Sequence, residues 1–398
     1  MTSAEQDLSG ELAAIALAMA DLHHPTKERE AAWAAGALAQ GDRVARDHAS
    51  TFSQDDWQRC ADRGLLAMKV PESMGGEGAD LATMILRLEG LGKGCLDNGL
   101  AFALASQVVS TQEALVRFAS PEIQQRWLPG LMDGSALGAF AMTEPEAGSD
   151  AYAMAATAVP TGDGDYVLNG HKAYITLGSR CAMVIVFAST RPDAGRWGLS
   201  AFVVPTDLDG VAQLPNRDKM GMRTTPFGDI TLTDVVVPGS ALLGREGAGV
   251  SIFNTVLEVE RSFVFAPAIG ATERLLDSAV EYATTRHQGG QPIGNYQAVG
   301  HRIADIKQQH ETSRLSLYRA AIAMLTGRDV AMSAALAKLT ASEVGISTAL
   351  AASAVHGAKG FLSEFEVERH VRDALGGIVY SGTSDIQRNI IARLLGVG

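Results

Sequence analysis

Apolar positions recur at helical spacing over two long stretches of this chain and alternate at strand spacing over the stretch between them. Leu8–Leu22 reads as a weakly amphipathic helix stopped at His23-His24-Pro25, and Glu28–His48 as an alanine-rich one. Ser53 is a good N-cap, with Asp55 and Asp56 in the first turn of a helix that runs to Arg63. Leu65–Pro71 then leads into a glycine-rich loop, Met74–Gly78, and helices follow over Leu81–Leu91, Asn98–Phe118 and Pro121–Met132. Ser120-Pro121 gives the last of these a cap and a proline at its first helical position.

From Leu137 to Pro238 the pattern changes to short β-rich runs. Tyr166–Leu168, Val184–Phe187, Ala201–Val204 and Ile230–Leu232 are the strand candidates, and Gly162–Asp165 and Asn169-Gly170 supply turn chemistry. Asn-Gly between such runs predicts a hairpin, and about 100 residues with this spacing predict a small barrel or sandwich. Beyond Gly247 the pattern is helical again, over Gly249–Gln288, Gln297–Leu325, Ala331–Val355, Glu364–Leu375 and Ser384–Leu395. The predicted class is mainly α with a central β domain. The divisions are a helical domain at 28–136, a β domain at 137–246 and a four-helix-bundle-like domain at 247–398, with residues 1–27 set apart as an N-terminal helical segment. A long antiparallel bundle of this kind favours a homo-oligomer, a dimer or a tetramer.

One stripe does not fit a simple core. On a helix, Phe253, Val256, Leu257, Glu260, Phe263, Val264 and Pro267 share a side, and Glu260 is its one carboxylate. A glutamate buried there is costly to ionise unless it is paired, and Arg261 follows it directly. Periodicity alone leaves two readings open, a buried functional carboxylate or an edge residue that reaches solvent.

Composition narrows the function. The chain has 398 residues, enough for a large core, and at 46% hydrophobic it is globular. A formal net charge of -12 argues against nucleic acid as a partner. Cys60, Cys95 and Cys181 show neither metal nor disulfide spacing, which points to a reducing compartment, and no metal site is expected. The acidic N-terminus lacks a signal-peptide pattern, and no run of about 18 apolar residues is present to span a membrane. The expectation is a cytoplasmic protein.

Several motifs carry more. Ala141–Asp150 reads AMTEPEAGSD, Asn169–Thr176 reads NGHKAYIT, and Tyr380–Arg388 reads YSGTSDIQR. With the three-part layout, these resemble the flavin-dependent acyl-CoA dehydrogenase family over nearly the whole chain from about Glu28. The resemblance implies that family's fold, with the first two dozen residues added to it, and FAD as cofactor. Met142, Thr143, Gly148 and Ser149 would line the flavin ring and the substrate's pantetheine channel. Tyr174 would pack against the ring, with the Thr176 hydroxyl near flavin N5. Leu177 stands where the family often has asparagine. Lys219–Thr225 and Asp234–Pro238 match the closing strands of the β domain.

Arg286 falls where the family places an arginine on the cofactor pyrophosphate, often across a dimer interface; a guanidinium fork suits a diphosphate. Gln297 is retained, whereas Gly289 replaces the usual phenylalanine and Ala354 a common glutamine. Val355–Phe361 is a reduced form of the family's double-glycine loop, with Gly357 able to let backbone approach a phosphate. Thr383 completes the implied cofactor contacts; Ser149, Arg261 and Tyr380 would meet substrate.

Ser381 occupies the position of the catalytic glutamate in most family members, and serine is no base at neutral pH without an activating partner. In the isovaleryl-CoA and long-chain acyl-CoA dehydrogenases the base is instead a Glu-Arg pair on the helix after the β domain, which corresponds to Glu260-Arg261. The implied reaction is α,β-dehydrogenation of an acyl-CoA thioester, with Glu260 as base, hydride transfer to flavin N5, and the Ser381 backbone N–H as an oxyanion donor. A variant acts on an acyl or aminoacyl group held by a carrier protein. A flavin oxidase or monooxygenase, or a non-catalytic thioester binder, are the other classes on this fold. An electron-carrier flavoprotein is the expected acceptor.

Overall fold

A computed structural model of the chain describes residues 3–38 and 41–397. The N-terminal part is α1 (Ser3–Ala20), α2 (Pro25–Ala37), α3 (Arg43–His48), α4 (Gln54–Asp62), α5 (Leu81–Gly94), α6 (Asn98–Ser106), α7 (Glu113–Phe118) and α8 (Pro121–Met132). The caps read from the sequence form: Ser53 Oγ accepts from Asp56 N–H at 3.2 Å and Ser120 Oγ from Ile123 N–H at 3.4 Å. The single alanine-rich helix expected over Glu28–His48 is two. Proline sits at the start of α2, and α3 begins anew because the Asp42 carboxylate accepts from Ala45 N–H at 2.9 Å. Between α6 and α7 the helix continues as a wide π-helical turn, Gln107–Gln112. The buried Gln107 amide bridges this turn to its surroundings, donating to Leu131 O at 3.0 Å and accepting from Gly138 N–H at 2.9 Å.

The middle of the chain is one mixed eight-stranded sheet. Its strands are β1 (Gly138–Ala141), β2 (Thr157–Pro160), β3 (Tyr166–Thr176), β4 (Met183–Ser189), β5 (Leu199–Pro205), β6 (Val211–Gln213), β7 (Phe227–Val237) and β8 (Leu242–Leu243). The order is β6-β7-β3-β2-β4-β5-β8, with β1 parallel to β4. Nearly every residue of β4 and β5 is buried on both faces, which is why they read as continuous apolar runs. The β2–β3 turn is Gly162–Asp165, with Gly162 and Gly164 at φ +90° and +94°.

Asn169-Gly170 does not form the expected hairpin. It lies inside β3, where the register against β7 shifts between Leu168 and Gly170. The Asn169 amide donates to Asp234 Oδ1 at 3.0 Å and accepts from Asp234 N–H at 2.9 Å, tying two irregular points of adjacent strands together. Glycine is required beside it because a Cβ at Gly170 would lie 2.6 Å from the Ala156 Cβ. Lys219–Thr225 is a loop rather than a strand.

The C-terminal part holds α9 (Gly249–Phe263), α10 (Ala266–Thr285), the small hairpin β9 (His287–Gln288) and β10 (Gln291–Pro292), α11 (Gln297–Thr326), α12 (Val330–His356), α13 (Val367–Gly376) and α14 (Ser384–Leu394). The helix expected over Gly249–Gln288 breaks at Val264-Phe265, because Pro267 lacks the N–H that would continue the ladder and instead begins α10. Pro267 is therefore not on the Glu260 helix. One apolar core runs through all three parts, from Ile15 through Leu168 and Phe202 to Phe263 and Ala341.

A charged clamp joins the three parts around the Lys219–Thr225 loop. The Arg372 guanidinium donates to Asp47 Oδ2 at 2.8 Å and to Met220 O at 3.1 Å, and Arg223 Nε donates to Asp47 O at 2.9 Å. Gly221 packs flush on α13: a Cβ there would lie 2.1 Å from Arg372 O. Gly221→Ala is expected to lower the unfolding free energy by about 1–3 kcal/mol, the usual effect of overpacking against fixed backbone, read as a shift of the urea midpoint.

Candidate functional site

Helix α9 carries Phe253, Val256, Leu257 and Phe263 into the interior, and Glu260 on the same side is half-buried. Both its oxygens are engaged. Ser110 Oγ donates to Oε2 at 2.7 Å, and Ser381 Oγ donates to Oε1 at 2.5 Å. Ser110 comes from the π-helical turn, whose wider pitch sets its polar residues among apolar neighbours. Ser381 comes from the loop between α13 and α14. The structure thus brings the serine at the usual base position and the helix-borne glutamate into direct contact.

The loop is built to hold this contact. Ser381 has φ +56° and Gly382 φ +83°. The Ser381 carbonyl accepts from Arg261 Nε at 3.3 Å and from Gln387 Nε2 at 3.3 Å, and Gln387 Nε2 also donates to Gly382 O at 3.0 Å. Lys338, fully buried on α12, donates to Gly377 O at 2.8 Å, and burial lowers its pKa to about 8. Burial likewise pulls the Arg261 guanidinium down, opposed by Glu260 and Glu258. Thr383 caps α14, its Oγ1 accepting from Ile386 N–H at 3.1 Å.

Tyr380 leads into an apolar cavity lined by Ala101, Phe102, Val264, Phe265 and Ala268. Its ring stacks on Phe265 at 5.1 Å and meets Phe102 at 4.5 Å, and burial pushes its phenol pKa up. Val264, which lies one turn beyond Glu260, lines this cavity.

The AMTEPEAGSD segment is fixed from below and open above. Lys172 Nζ, fully buried, donates to Glu144 Oε1 at 2.7 Å and to Met142 O at 3.2 Å, and Glu144 also accepts from Ala155 and Ala156 N–H at 2.6 and 3.0 Å. Burial lowers the Lys172 pKa to about 8 although Glu144 opposes it. Ala173 N–H donates to Thr143 O at 2.9 Å, so the segment lies along β3. Met142 is buried and Thr143 half-buried, whereas Gly148 and Ser149 are exposed, with nothing within 4 Å of a Cβ built at Gly148.

On β3, Tyr174 is 49% exposed and Thr176 is half-buried. Tyr174 has φ +62°, and the Arg217 guanidinium lies 4.9 Å from its ring centroid. Asp229 organises this corner: it accepts from Tyr174 N–H at 3.1 Å and Arg217 Nε at 2.8 Å and meets His171 Nε2 at 2.9 Å. Arg217 above all holds its carboxyl well below the ordinary range. A depressed folded pKa contributes stability above the unfolded value of about 3.9, lost as pH falls through the folded one. Asp229→Asn should therefore cost about 1.5–3 kcal/mol at neutral pH and progressively less on acidification below about 4. It should also loosen the Tyr174 backbone, whose N–H donates to the Asp229 carboxylate.

Arg286, Gln297 and Gly357 come together differently. They stand at the C-terminal end of α10, the N-terminal end of α11 and the C-terminal end of α12, which is one end of the bundle, and all three are exposed. Tyr282 stacks on His356 at 4.8 Å beneath them, and Gly357 has φ +60°. A half-exposed aromatic ring flanked by hydroxyls and open backbone, with an exposed arginine elsewhere, is a donor set that fits a flavin ring and a diphosphate.

Ser110, Gln387 and Lys338 are the residues that sequence reasoning missed. Only Ser110 left a signal: Gln107, Ser110, Thr111 and Gln112 interrupt an otherwise apolar helix. Among the described residues, no helix is long and apolar enough to cross a membrane.

Sequence profiles for the acyl-CoA dehydrogenase N-terminal, middle and C-terminal domains match residues 26–135, 139–235 and 247–396. The chain is 36% identical over 349 residues to L-prolyl peptidyl-carrier-protein dehydrogenase of Pseudomonas fluorescens, covering 88% of this chain and 92% of that protein. It is 34% identical over 346 residues to the mitochondrial short-chain specific acyl-CoA dehydrogenase of Rattus norvegicus, covering 87% and 83%. The crystal structure of the prolyl acyl carrier protein oxidase AnaB superposes with TM-score 0.91 at 36% identity, covering 94% of this chain and 98% of that one. PigA with FAD and proline gives 0.90 at 34% identity, covering 95% and 99%. Three domain profiles matched in order, and relatives this similar over most of their length, show that this chain belongs to the acyl-CoA dehydrogenase family of FAD-dependent oxidoreductases acting on CH–CH groups.

Proposed function

We propose that this chain dehydrogenates an acyl thioester between its α and β carbons, with Glu260 as the base. The observation that carries this is the Glu260 carboxylate, held by two serine hydroxyls, with Ser381 where a loop glutamate would otherwise stand and with the neighbouring Val264 and Tyr380 lining an apolar cavity. Bound FAD supplies the acceptor for the hydride lost from the β carbon.

The chain's own residues do the rest. Met142, Thr143, Gly148, Ser149, Tyr174, Thr176 and Thr383 hold the ring end of the flavin, and Ser149 also borders the pantetheine arm of the substrate. Arg286, Gln297 and Gly357, exposed at the bundle end, take the phosphate side, in our reading on a flavin shared with a second copy of the chain in a dimer or tetramer. Arg261 fixes the loop that carries Ser381, Tyr380 borders the acyl group, and the Ser381 N–H receives the enolate oxygen as charge develops there. The apolar wall of Phe102, Val264 and Phe265 takes the acyl chain and keeps water from it. We place the protein in the cytoplasm, passing electrons to an electron-carrier flavoprotein.

A second reading of the substrate, an aminoacyl group on a carrier protein, is supported by the prolyl-carrier-protein dehydrogenase of Pseudomonas fluorescens at 36% identity. Anaerobic titration of the yellow protein with acyl-CoAs and with acyl- and prolyl-carrier proteins tests both. Bleaching by one class names the carrier. A protein that no thioester bleaches contradicts the proposal, and rapid hydrogen peroxide formation in air without transfer to a carrier flavoprotein assigns the oxidase class instead.

A further inference from the structure

Serine at 381 is an expensive choice for its backbone. Its φ of +56° lies in the left-handed region that glycine enters freely and that costs other residues on the order of 1–3 kcal/mol. The loop nevertheless enforces this conformation, through Arg261 and Gln387 on the Ser381 carbonyl. The outcome is one hydroxyl aimed at one carboxylate oxygen. Because the hydroxyl donates to Glu260 Oε1, its own lone pairs remain available to accept. With Ser110 holding Oε2 at 2.7 Å, the carboxylate stays turned toward Ser381. A serine hydroxyl hydrogen-bonded to an adjacent base is the arrangement by which proteins activate an alcohol. Tyr380, the residue before it, lines the apolar cavity, so the chain passes from the cavity wall directly to Ser381.

We propose that Ser381 is a catalytic residue that relays the α-proton: its Oγ takes the proton from the thioester α-carbon as its own proton passes to Glu260 Oε1. The Cα–H bond breaks and its electron pair forms the α,β double bond as the β-hydrogen leaves with its pair to the bound flavin, the oxidant. The serine ends the step as it began, and Glu260 ends it protonated. This rests on the proposed base assignment and adds the route to it.

The two routes differ in which hydrogens are in flight. Direct abstraction by Glu260 moves only carbon-bound hydrogens, which do not exchange with water beforehand. The relay also moves the Ser381 hydroxyl proton, which does.

Anaerobic rapid-mixing measurement of flavin reduction in the holoenzyme, using a thioester that bleaches it, is therefore expected to run slower in D2O than in H2O. In Ser381→Ala and Ser381→Gly, with flavin content confirmed by absorbance, reduction should slow about 10²-fold. The solvent effect should vanish while the effect of α-deuteration persists. The same variants should slow exchange of α-hydrogen into D2O from a thioester without β-hydrogens, a readout that needs no turnover. An α-deuteration effect with no solvent effect in the parent overturns the relay, as does a solvent effect kept in full by Ser381→Ala. In either case an inactive Glu260→Gln leaves the base assignment standing, whereas parental activity of Glu260→Gln removes it.

Discussion

Replacing Arg314 by methionine is expected to lower the unfolding free energy by about 3–5 kcal/mol, the largest stability loss from any single side chain described above. Arg314 is buried on α11 and reaches across to α5, where its Nε lies 3.2 Å from both oxygens of the equally buried Glu89. It also donates to Ala18 O at 2.6 Å and Met19 O at 2.9 Å, the last carbonyls of α1. Tyr318 OH completes the cluster, donating to Glu89 Oε2 at 3.2 Å. Burial already pushes the Glu89 carboxyl up, and Arg314 is the chief counterweight.

Methionine fills the stem but leaves Glu89 uncompensated and the end of α1 without its cation. Urea unfolding reads the loss. Proteolysis within α1 should also quicken, since Arg314 holds the last turn of that helix alongside the buried Ile15 and Ala18. The Glu89→Gln, Arg314→Met double variant should recover part of the loss, because no buried charge is then left alone. A loss under about 1 kcal/mol would mean that the cluster is neutral to folding.

This cluster shows where sequence reading stopped. Glu89 and Arg314 are 225 residues apart, and neither sits in a motif, so nothing local announces that they meet. What was legible was whatever a short window decides: caps at Ser53 and Ser120, the buried strands around Ile185 and Val203, and the three-part order of helices, sheet and helices. Local signals misled where tertiary contact overrode them. Asn169-Gly170 reads as a turn, yet Asp234 on the neighbouring strand and the close approach of Ala156 turn it into an irregularity of a long strand. The Glu260 stripe was visible, but its extension to Pro267 was not sound, since proline there starts a new helix. The candidate base was legible from the missing carboxylate at 381. Its partner Ser110 was only half legible: Gln107, Ser110, Thr111 and Gln112 mark a break in an apolar helix, but nothing in them says which group the serine will face.

Glu260→Gln is expected to keep FAD and the fold while slowing flavin reduction by about 10⁴-fold, close to 5 kcal/mol of barrier. Glutamine has the shape of glutamate and can still meet Ser110 and Ser381, so the loop should hold. What it cannot do is take a proton from either the substrate or Ser381. Among the described residues, no other carboxylate hydrogen-bonds to either serine, so none of them is placed to replace it. The loss should appear in the reduction step itself and with every thioester that bleaches the parent, since the base is common to all of them.

The decisive measurement is anaerobic single-turnover flavin reduction by FAD-loaded Glu260→Gln beside the parent, with the same thioester. The account predicts a parent that bleaches and a variant that stays yellow on that timescale. A variant that bleaches as fast as the parent would contradict it.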